Sequence, residues 1–398
     1  MTETKAEPKF VLAVDDDPIV LELIASGVAK FPGLALLKAA NGQEALSQFD
    51  CVGSVAFVFC DLNMPNMDGL QFLRHLGERQ FVNPIAIVSG EDRSILTSAA
   101  LMAERYGLKI EAVLRKPLDP RDVARLLSKT QESQFIEAQA PILERKDLVD
   151  ALVGHRVVPY FQPKICARTG RIIGAEALAR LHHPKYGILP PAAFIGLAEE
   201  QKLIEPLTGT VTRQALQKLA EWQTCRPGFE MAVNMSADLL SRSDFPESLV
   251  SVCAGYHVDP KHVILELTEN RVLDSGGLPL EVLARLRMNK FGLSIDDFGT
   301  GYSNIERLRD MPFTELKVDQ GFIQNARTDA FAEKCVRASI DLGRALGLQI
   351  VAEGVESEDD SSFVGGLDID QIQGYRYSKP VSAEEFEATF LDPTRKVA

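Results

Sequence analysis

Short apolar segments alternate with helical patterns along most of the chain, and this alternation restricts the possible folds more than any other feature. Buried strands that alternate with helices form parallel sheets, because each helix carries the chain back to the starting edge of the sheet. Five such segments lie between residues 10 and 129. The sequence therefore predicts an α/β domain with a doubly wound, five-stranded parallel sheet, whose strands lie at residues 10–14, 35–39, 55–60, 85–89 and 111–116.

The alternation resumes after residues 129–148, a polar stretch that we interpret as a partly helical linker. Eight strand-like segments follow, and eight is the strand number of a (β/α)8 barrel. We therefore predict two domains, residues 1–128 and 149–398, joined by that linker. The expected barrel strands lie at residues 157–165, 172–180, 230–237, 263–269, 292–299, 313–319, 348–356 and 368–374.

Composition excludes several classes of function. The 56 acidic residues outnumber the 43 lysines and arginines, and the net charge of −13 argues against nucleic-acid binding. No apolar run approaches the roughly 18 residues of a membrane span, and the start of the chain does not resemble a secretory signal. The six cysteines lack CxxC spacing, so we expect reduced thiols. We therefore expect a cytoplasmic protein that contacts neither DNA nor a membrane.

Acidic side chains lie in or at the ends of several barrel segments. Asp296 and Asp297 end the fifth segment, Glu176 the second and Glu353 the seventh, while Glu266 lies in the fourth. The carboxyl ends of barrel strands meet at one face, where such clustered charges repel each other unless cations separate them. Carboxylate oxygens suit Mg²⁺ or Mn²⁺, and two ions about 4 Å apart could activate a water and hold a phosphoryl oxygen.

A single acidic residue at a strand end is more often a helix N-cap or a solvated loop residue than a metal ligand. Six or more such positions in successive segments make this alternative a poor explanation for the set. The alternative stays open for Glu269 and Glu356, which could brace the site rather than bind metal.

The segment Glu176-Ala177-Leu178-Ala179-Arg180 resembles the signature of the EAL-domain cyclic di-GMP phosphodiesterases. The resemblance covers about residues 145–390, and the family fold is a modified (β/α)8 (TIM-type) barrel. Further motifs follow in the family order: YFQPK at 160–164, VNMSA at 233–237, ELTE at 266–269, DDFGTGYS at 296–303, LKVD at 316–319, AEGVE at 352–356 and QGYRYSKP at 373–380.

This resemblance implies a role for each matching residue. Two Mg²⁺ or Mn²⁺ ions would be held by Glu176, Asn234, Glu266, Asp296 and Asp297, with Glu353 at or near the second ion. Lys317 would contact the attacking water, and either Glu353 or Lys317 would take its proton; we favour Glu353. Glu269 would brace the loop at 298–304, with further support from Glu356. The residues expected to contact substrate are Gln162, Leu178, Arg180, Asp319 and Gln373.

The first domain carries a second set of polar residues at its strand ends. They lie in VDDDP at 14–18 and CDLNMP at 60–65, at Ser89, and at Lys116-Pro117. Strand ends of a parallel sheet meet at one edge, where acidic groups can hold one Mg²⁺. A carboxylate beside a metal ion and a lysine can accept a phosphoryl group, because both cations neutralise its charge.

This set resembles the response-regulator receiver domain, a CheY-like, flavodoxin-like fold. The resemblance implies that Asp61 accepts the phosphoryl group, and that Asp15 and Asp16 hold one Mg²⁺ with it. It also implies that Ser89 and Lys116 bind the phosphate, and that the Lys116–Pro117 bond is cis. Receivers often carry an aromatic residue where this chain has Val113, so the usual aromatic switch is missing or relocated, with Tyr106 as a nearby candidate.

Together these resemblances predict a two-component response regulator. A histidine kinase would phosphorylate the receiver, which would control hydrolysis of cyclic di-GMP to linear 5′-pGpG, and family habit suggests a homodimer or larger homo-oligomer. The alternative is a non-catalytic cyclic di-GMP sensor, but degenerate EAL domains usually lack the metal ligands that this chain retains. A transcriptional regulator is a weaker alternative, because no helix-turn-helix pattern is present.

Overall fold

The structure is a computed structural model that describes residues 9–391, apart from residues 53, 139–141, 269–276 and 300–304 and the side chains of residues 93, 129, 131–138 and 305–307. The chain divides into two compact units, Met1–Ala140 and Pro141–Ala398. In the described part of the chain, each helix is too short or too polar to cross a membrane.

The first unit contains the predicted five-stranded parallel sheet, in the order β2-β1-β3-β4-β5. Strands β1 and β3 are therefore neighbours at the centre, and their carboxyl ends lie side by side at the point where the strand order reverses. The doubly wound fold is confirmed. The strands are β1 (Lys9–Val14), β2 (Leu34–Ala39), β3 (Val55–Cys60), β4 (Ile85–Ser89) and β5 (Ile110–Arg115).

Successive residues of β1 point to opposite faces of this sheet, and each face packs against its own helices. Leu12 belongs to the apolar cluster that contains Phe72, and Val11 to the cluster that contains Val123. Asp68 begins α3 as an N-cap, with its side chain accepting from Gln71. The helices are α1 (Pro18–Val28), α2 (Gly42–Cys51), α3 (Gly69–Glu78), α4 (Arg93–Arg105) and α5 (Pro120–Ala138).

The second unit contains a closed barrel of eight strands, as predicted. Within the described residues, the ninth strand, β8, pairs only with β7, and β6 closes the barrel by pairing with both β7 and β14. Strand β6 is antiparallel to both neighbours, whereas the other barrel pairs are parallel. The strands are β6 (Val157–Cys166), β7 (Ile172–His183), β8 (Gly187–Leu189), β9 (Glu230–Asn234), β10 (Val263–Thr268), β11 (Gly292–Phe298), β12 (Glu315–Val318), β13 (Gln349–Ala352) and β14 (Gln371–Ile372).

Helices cover the outside of the barrel. The side chains between the two layers include the stacked rings of Trp222 and Phe386, whose centroids are 4.8 Å apart. The helices are α6 (Arg145–Val153), α7 (Ile195–Glu200), α8 (Ile204–Gln223), α9 (Phe245–Gly255), α10 (Gly277–Met288), α11 (Ile305–Asp310), α12 (Gln320–Asn325), α13 (Ala330–Ala345), α14 (Glu358–Gly365) and α15 (Ala383–Phe386).

Several barrel strands differ in length from the predicted segments, and β14 is the shortest of them, with only Gln371 and Ile372 of the predicted residues 368–374. Strand β7 continues to His183, beyond the predicted end at residue 180, because its later residues pair with β6 and β8. Glu176 therefore lies within β7 rather than at its end. Strand β13 ends at Ala352, four residues before the predicted end, and Gly354 adopts a φ of +66° that does not fit an extended strand.

Candidate functional site

The parallel register brings the acidic residues of the central strands to one face of the barrel. Glu266 of β10 pairs with Asn234 of β9 on one side and with Ser294 of β11 on the other. Asp296 lies two residues beyond Ser294, and therefore on the same face of β11 and nearer its carboxyl end. Lys317 is the third residue of β12. The predicted ligands thus gather at the carboxyl-terminal mouth of the barrel, where barrel enzymes hold their sites.

Lys317 is the centre of this cluster and is almost fully buried. Its Nζ lies 2.7 Å from Oε1 of Glu353, 3.0 Å from Oε2 of Glu266, 3.1 Å from Oδ1 of Asp296 and 3.8 Å from Oε2 of Glu176. Burial alone lowers the pKa of the Lys317 ammonium, but these carboxylates outweigh burial and raise the pKa well above its usual value. Lys317 is therefore a cation in this arrangement and can donate hydrogen bonds.

Amide side chains orient Glu176 from two directions. Asn234 Nδ2 donates to Oε1 of Glu176 at 2.8 Å, and Gln373 Nε2 donates to Oε2 at 2.5 Å. Gln373 also donates to Oε1 of Gln162 at 2.9 Å, and Gln162 donates to the carbonyl oxygen of Ser378 at 3.1 Å. Four predicted site residues, from strands β6, β7 and β9 and the residue after β14, thus form one hydrogen-bonded network.

A β-bulge explains why this sequence places two aspartates side by side. Between β11 and β12 the register shifts, because the three steps from Ile295 to Phe298 face only two steps on β12. Asp297 has a φ of +55°, in the left-handed region that few residues other than glycine adopt. A regular strand would point adjacent side chains to opposite faces. Here, ligand oxygens of Asp296, Asp297 and Glu353 lie within 4.8 Å of one another.

The donor set of this site fits hard divalent cations. It consists of carboxylate and amide oxygens, the ligands that Mg²⁺ and Mn²⁺ prefer. Oε1 of Glu266 is buried and has no hydrogen-bond partner among the described residues. Burial raises the pKa of Glu266 well above its usual range and raises that of Glu353 to about 8. Carboxyls whose ionised form is destabilised in this way gain strongly from a bound cation.

The residues expected to contact substrate surround this cluster. Leu178 and Arg180 follow Glu176 on the same face of β7, and the Arg180 guanidinium lies 5.6 Å from the ring centroid of Tyr160. Leu178 and Asn234 also line a cavity of about 300 Å³. The Asp319 side chain accepts from the backbone of Gly321 at 2.9 Å and caps α12. Asp319 thus has a structural contact in addition to its predicted one.

Of the two residues predicted to support the loop, the structure describes Glu356 but not Glu269. Glu269 and most of the 298–304 loop lie outside the described residues. Glu356 is exposed, and its backbone N–H donates to Oδ2 of Asp360 at 3.1 Å, at the start of α14.

Sequence reasoning also missed a buried pair beneath the site, Lys164 and Glu315, although both lie two residues from predicted site residues on their strands.

The receiver-like residues meet at the carboxyl edge of the first sheet. Lys116 Nζ lies 2.8 Å from Oδ2 of Asp15 and 2.8 Å from Oδ2 of Asp61, both of which are buried. Oxygens of Asp15, Asp16 and Asp61 lie within 4.8 Å of one another, which suits one divalent cation. Burial lowers the pKa of the Lys116 ammonium, but its hydrogen bonds to the two aspartates outweigh burial and raise it.

The other predicted receiver residues lie at the ends of β4 and β5. Ser89 is buried as the last residue of β4, and its carbonyl oxygen accepts from the backbone N–H of Lys116 at 3.1 Å. The Lys116–Pro117 bond is cis, as predicted. Val113 is exposed on β5. Tyr106 caps the carboxyl end of α4, about 20 Å of helix away from the edge that holds Ser89, so its position does not favour a relocated switch.

Comparisons with known proteins agree with this architecture. The EAL domain family matches residues 145–380, and the response regulator receiver domain matches residues 11–128. The chain is 31% identical over 386 residues to the cyclic di-GMP phosphodiesterase RocR of Pseudomonas aeruginosa, covering 94% of this chain and 97% of RocR. It is 37% identical over 227 residues to the cyclic di-GMP phosphodiesterase PA2567 of the same organism, covering 57% of this chain and 39% of PA2567.

The barrel is also similar to solved structures. The structure titled "PaMucR Phosphodiesterase, c-di-GMP complex" superposes with a TM-score of 0.59 at 36% identity, covering 61% of this chain and 98% of that chain. A family match over more than half of the chain, together with a relative that is 31% identical and is covered over 97% of its length, fixes the classification. The chain belongs to the EAL domain family and carries a response regulator receiver domain in front of its EAL barrel.

Proposed function

We propose that this chain is a response regulator whose EAL barrel hydrolyses cyclic di-GMP to linear 5′-pGpG with two Mg²⁺ or Mn²⁺ ions. The observation that carries the proposal is the full set of oxygen donors around Lys317 at the barrel mouth. In this proposal residues 1–128 are the receiver, 129–148 the linker and 149–398 the phosphodiesterase domain. The names of RocR, PA2567 and the PaMucR structure supply the substrate class.

The ions would be held by the carboxylate and amide oxygens at the barrel mouth. Bound there, the two ions would lower the pKa of a water and neutralise charge on the phosphate. The hydrogen bonds that Glu176 accepts would keep its oxygens aimed at the cluster. The proposed ligands are Glu176, Asn234, Glu266, Asp296, Asp297 and Glu353.

Glu353 is the better candidate for the base. A base must be able to accept a proton, and the surrounding carboxylates favour the ammonium form of Lys317. In the metal-free barrel, burial raises the pKa of the Glu353 carboxyl to about 8, so this carboxyl accepts a proton more readily than an ordinary glutamate. Lys317 would instead orient the attacking water and stabilise charge on the phosphate.

The remaining barrel residues would bind and orient the dinucleotide. Arg180 would reach a phosphate oxygen, since a guanidinium can donate two parallel hydrogen bonds to it. Gln373 donates hydrogen bonds to both Gln162 and Glu176, so a substrate contact at either glutamine would alter the hydrogen bond that Glu176 accepts. Leu178 and Asp319 complete the proposed substrate contacts, and Glu269 and Glu356 would support the neighbouring loop.

The receiver would regulate this activity. A histidine kinase would transfer a phosphoryl group to Asp61, with Asp15 and Asp16 holding one Mg²⁺ and with Ser89 and Lys116 binding the phosphate. After phosphoryl transfer, the Lys116 ammonium would pair with the phosphoryl group on Asp61 instead of the Asp61 carboxylate, because the phosphoryl group carries the new negative charge. The linker would carry the change to the barrel, and the chain would act as a dimer or larger homo-oligomer.

The test is to incubate the purified chain with cyclic di-GMP and Mg²⁺ or Mn²⁺ and to separate the products by chromatography. We expect pGpG from the unmodified chain and none from Glu353→Ala, with the rate altered by a beryllofluoride mimic on Asp61. Equal turnover by Glu353→Ala would reject Glu353 as the base. Binding of cyclic di-GMP without turnover by the unmodified chain would support the alternative, a non-catalytic sensor.

A further inference from the structure

A buried ion pair lies one layer beneath the carboxylate cluster. Lys164 follows Gln162 by two residues on β6, and because β6 runs antiparallel to the other strands, this step leads away from the barrel mouth. Glu315 precedes Lys317 by two residues on β12, which leads in the same direction. The Lys164 Nζ lies 3.0 Å and 3.1 Å from the two carboxylate oxygens of Glu315.

This layer is polar where barrel interiors are usually filled by branched apolar side chains. Lys164 and Glu315 are both fully buried. Ser294, which pairs with Glu315 in the β11–β12 register, and Gln371 are also buried. A buried ion pair is weak support for stability, because apolar residues of similar size often stabilise as well or better. The pair therefore calls for an explanation other than packing.

Lys164 has anions on two levels. Burial lowers the pKa of its ammonium, but Glu315 first and Glu266 second outweigh burial and raise it. Glu266 belongs to the catalytic layer above, and the positive charge of Lys164 acts to lower its pKa. A lysine ammonium is a compact charge on a flexible four-carbon stem, so it can change partners by rotating that stem. The bidentate contact with Glu315 holds the Lys164 ammonium in its observed position.

We propose that Glu315 is a positioning residue that holds the Lys164 ammonium below the catalytic layer, so that the oxygens of Glu266 and Glu176 stay available to divalent cations. This inference rests on the proposed function. Without Glu315 the ammonium is an unpaired buried charge, which is strongly unfavourable. It then turns toward Glu266 and competes with metal for the site.

The test is a Mn²⁺ titration of the full-length chain, with free Mn²⁺ followed by electron paramagnetic resonance. All variants carry Asp15→Asn and Asp16→Asn, which remove the proposed receiver metal site. We expect Glu315→Gln to weaken Mn²⁺ binding about tenfold or more. Adding Lys164→Met to Glu315→Gln restores the affinity to within about threefold, because the competing ammonium is gone. Ser294→Ala, a change at the buried position that pairs with Glu315 on one side and with Glu266 on the other, leaves the affinity within about threefold.

Three results would overturn the inference. The first is an unchanged affinity in folded Glu315→Gln, and the second is a Glu315→Gln/Lys164→Met variant as weak as Glu315→Gln alone. The third is an equal loss in Ser294→Ala. If Glu315→Gln does not fold, Lys164→Met alone decides. The inference requires this variant to bind Mn²⁺ within about threefold of the parent, whereas a structural pair loses affinity whichever partner is removed.

A separate measurement of turnover tests the proposed function itself. Turnover of cyclic di-GMP by the unmodified chain is measured in the same buffer, and an absence of pGpG rejects the phosphodiesterase assignment whatever the Mn²⁺ affinities are. Turnover by the unmodified chain together with an unchanged Mn²⁺ affinity in Glu315→Gln rejects only the positioning role of Glu315.

Discussion

Lys317 Nζ lies 2.7 Å from Oε1 of Glu353, although Lys317 lies within β12 and Glu353 follows the last residue of β13. The same ammonium contacts Glu266 and Asp296 at 3.0 Å and 3.1 Å. One lysine therefore neutralises part of a cluster that holds several carboxylates. The contact also restricts the orientation of Glu353, since a partly buried carboxylate beside a buried ammonium has few alternative positions.

We predict that Glu353→Gln lowers turnover of cyclic di-GMP by about 10²–10⁴-fold, the usual contribution of a general base. Glutamine keeps the size of the side chain and can still accept a hydrogen bond from Lys317, so cyclic di-GMP binding should change little. Turnover is measured by chromatography of pGpG, and binding by isothermal titration calorimetry in Ca²⁺. The control is Glu281→Gln on the surface of α10, which should retain turnover.

A second prediction concerns the pH dependence of the metal-free barrel. The Glu353 carboxyl has an ordinary pKa of 4.5 when unfolded and a pKa of about 8 in the folded barrel. Between these values the folded state binds more protons, so its stability is greatest at the acidic end and falls as pH rises through 8. We expect the unfolding temperature in EDTA to fall by about 5 °C or more between pH 6 and pH 8.5.

Fluorescence can follow the barrel alone, because the single tryptophan of the chain, Trp222, packs between α8 and the barrel. Glu353→Gln cannot lose a proton, so it should reduce the fall, with the remainder coming from Glu266. Saturating Mn²⁺ should stabilise the barrel more at pH 8.5 than at pH 6, because the carboxylates must be ionised to bind it. An unfolding temperature that rises with pH in EDTA contradicts this prediction.

A third prediction concerns the bulge at Asp297. Asparagine tolerates a φ of +55° better than most residues, whereas alanine does not. Asp297→Asn and Asp297→Ala should both weaken Mn²⁺ binding about tenfold or more, because each removes a charged ligand. Only Asp297→Ala should also destabilise the barrel, by about 1–2 kcal/mol. Equal unfolding temperatures for the two variants would mean that the backbone at this position is not strained.

Much of this arrangement could be predicted from the sequence, because it depends on the spacing of apolar residues and on which side chains lie at the ends of strands. The alternation of strands and helices predicted both folds, and the carboxylates at strand ends predicted most of the acidic cluster around Lys317. The bulge could not be predicted, because the pattern of a strand indicates its faces but not the register with its neighbour. The pairing of Lys164 with Glu315 spans 151 positions, and only barrel closure between β6, β7 and β14 brings them together.

The last prediction concerns Lys116 in the receiver. Its ammonium lies 2.8 Å from each of two buried carboxylates, Asp15 and Asp61, so Lys116→Met leaves these charges to repel each other. Since Lys116 is partly exposed, we expect a loss of about 1–3 kcal/mol in the unfolding free energy of the receiver, smaller than for a fully buried pair. Lys38→Met, which breaks an exposed pair with Glu22, should lose less than about 1 kcal/mol.

Three measurements separate this effect from a general loss of packing. Mg²⁺ should recover most of the lost stability in Lys116→Met, because the ion replaces the missing positive charge between the aspartates. The difference between the variants should stay constant from pH 6 to pH 9, because the raised pKa of Lys116 means that its contribution is complete below about 10.5 and is lost only at higher pH. Phosphorylation of Lys116→Met by acetyl phosphate should be at least about tenfold slower, since the lysine neutralises the incoming phosphate. Equal losses of stability in Lys116→Met and Lys38→Met, with no recovery in Mg²⁺, would show that the two aspartates do not depend on this lysine.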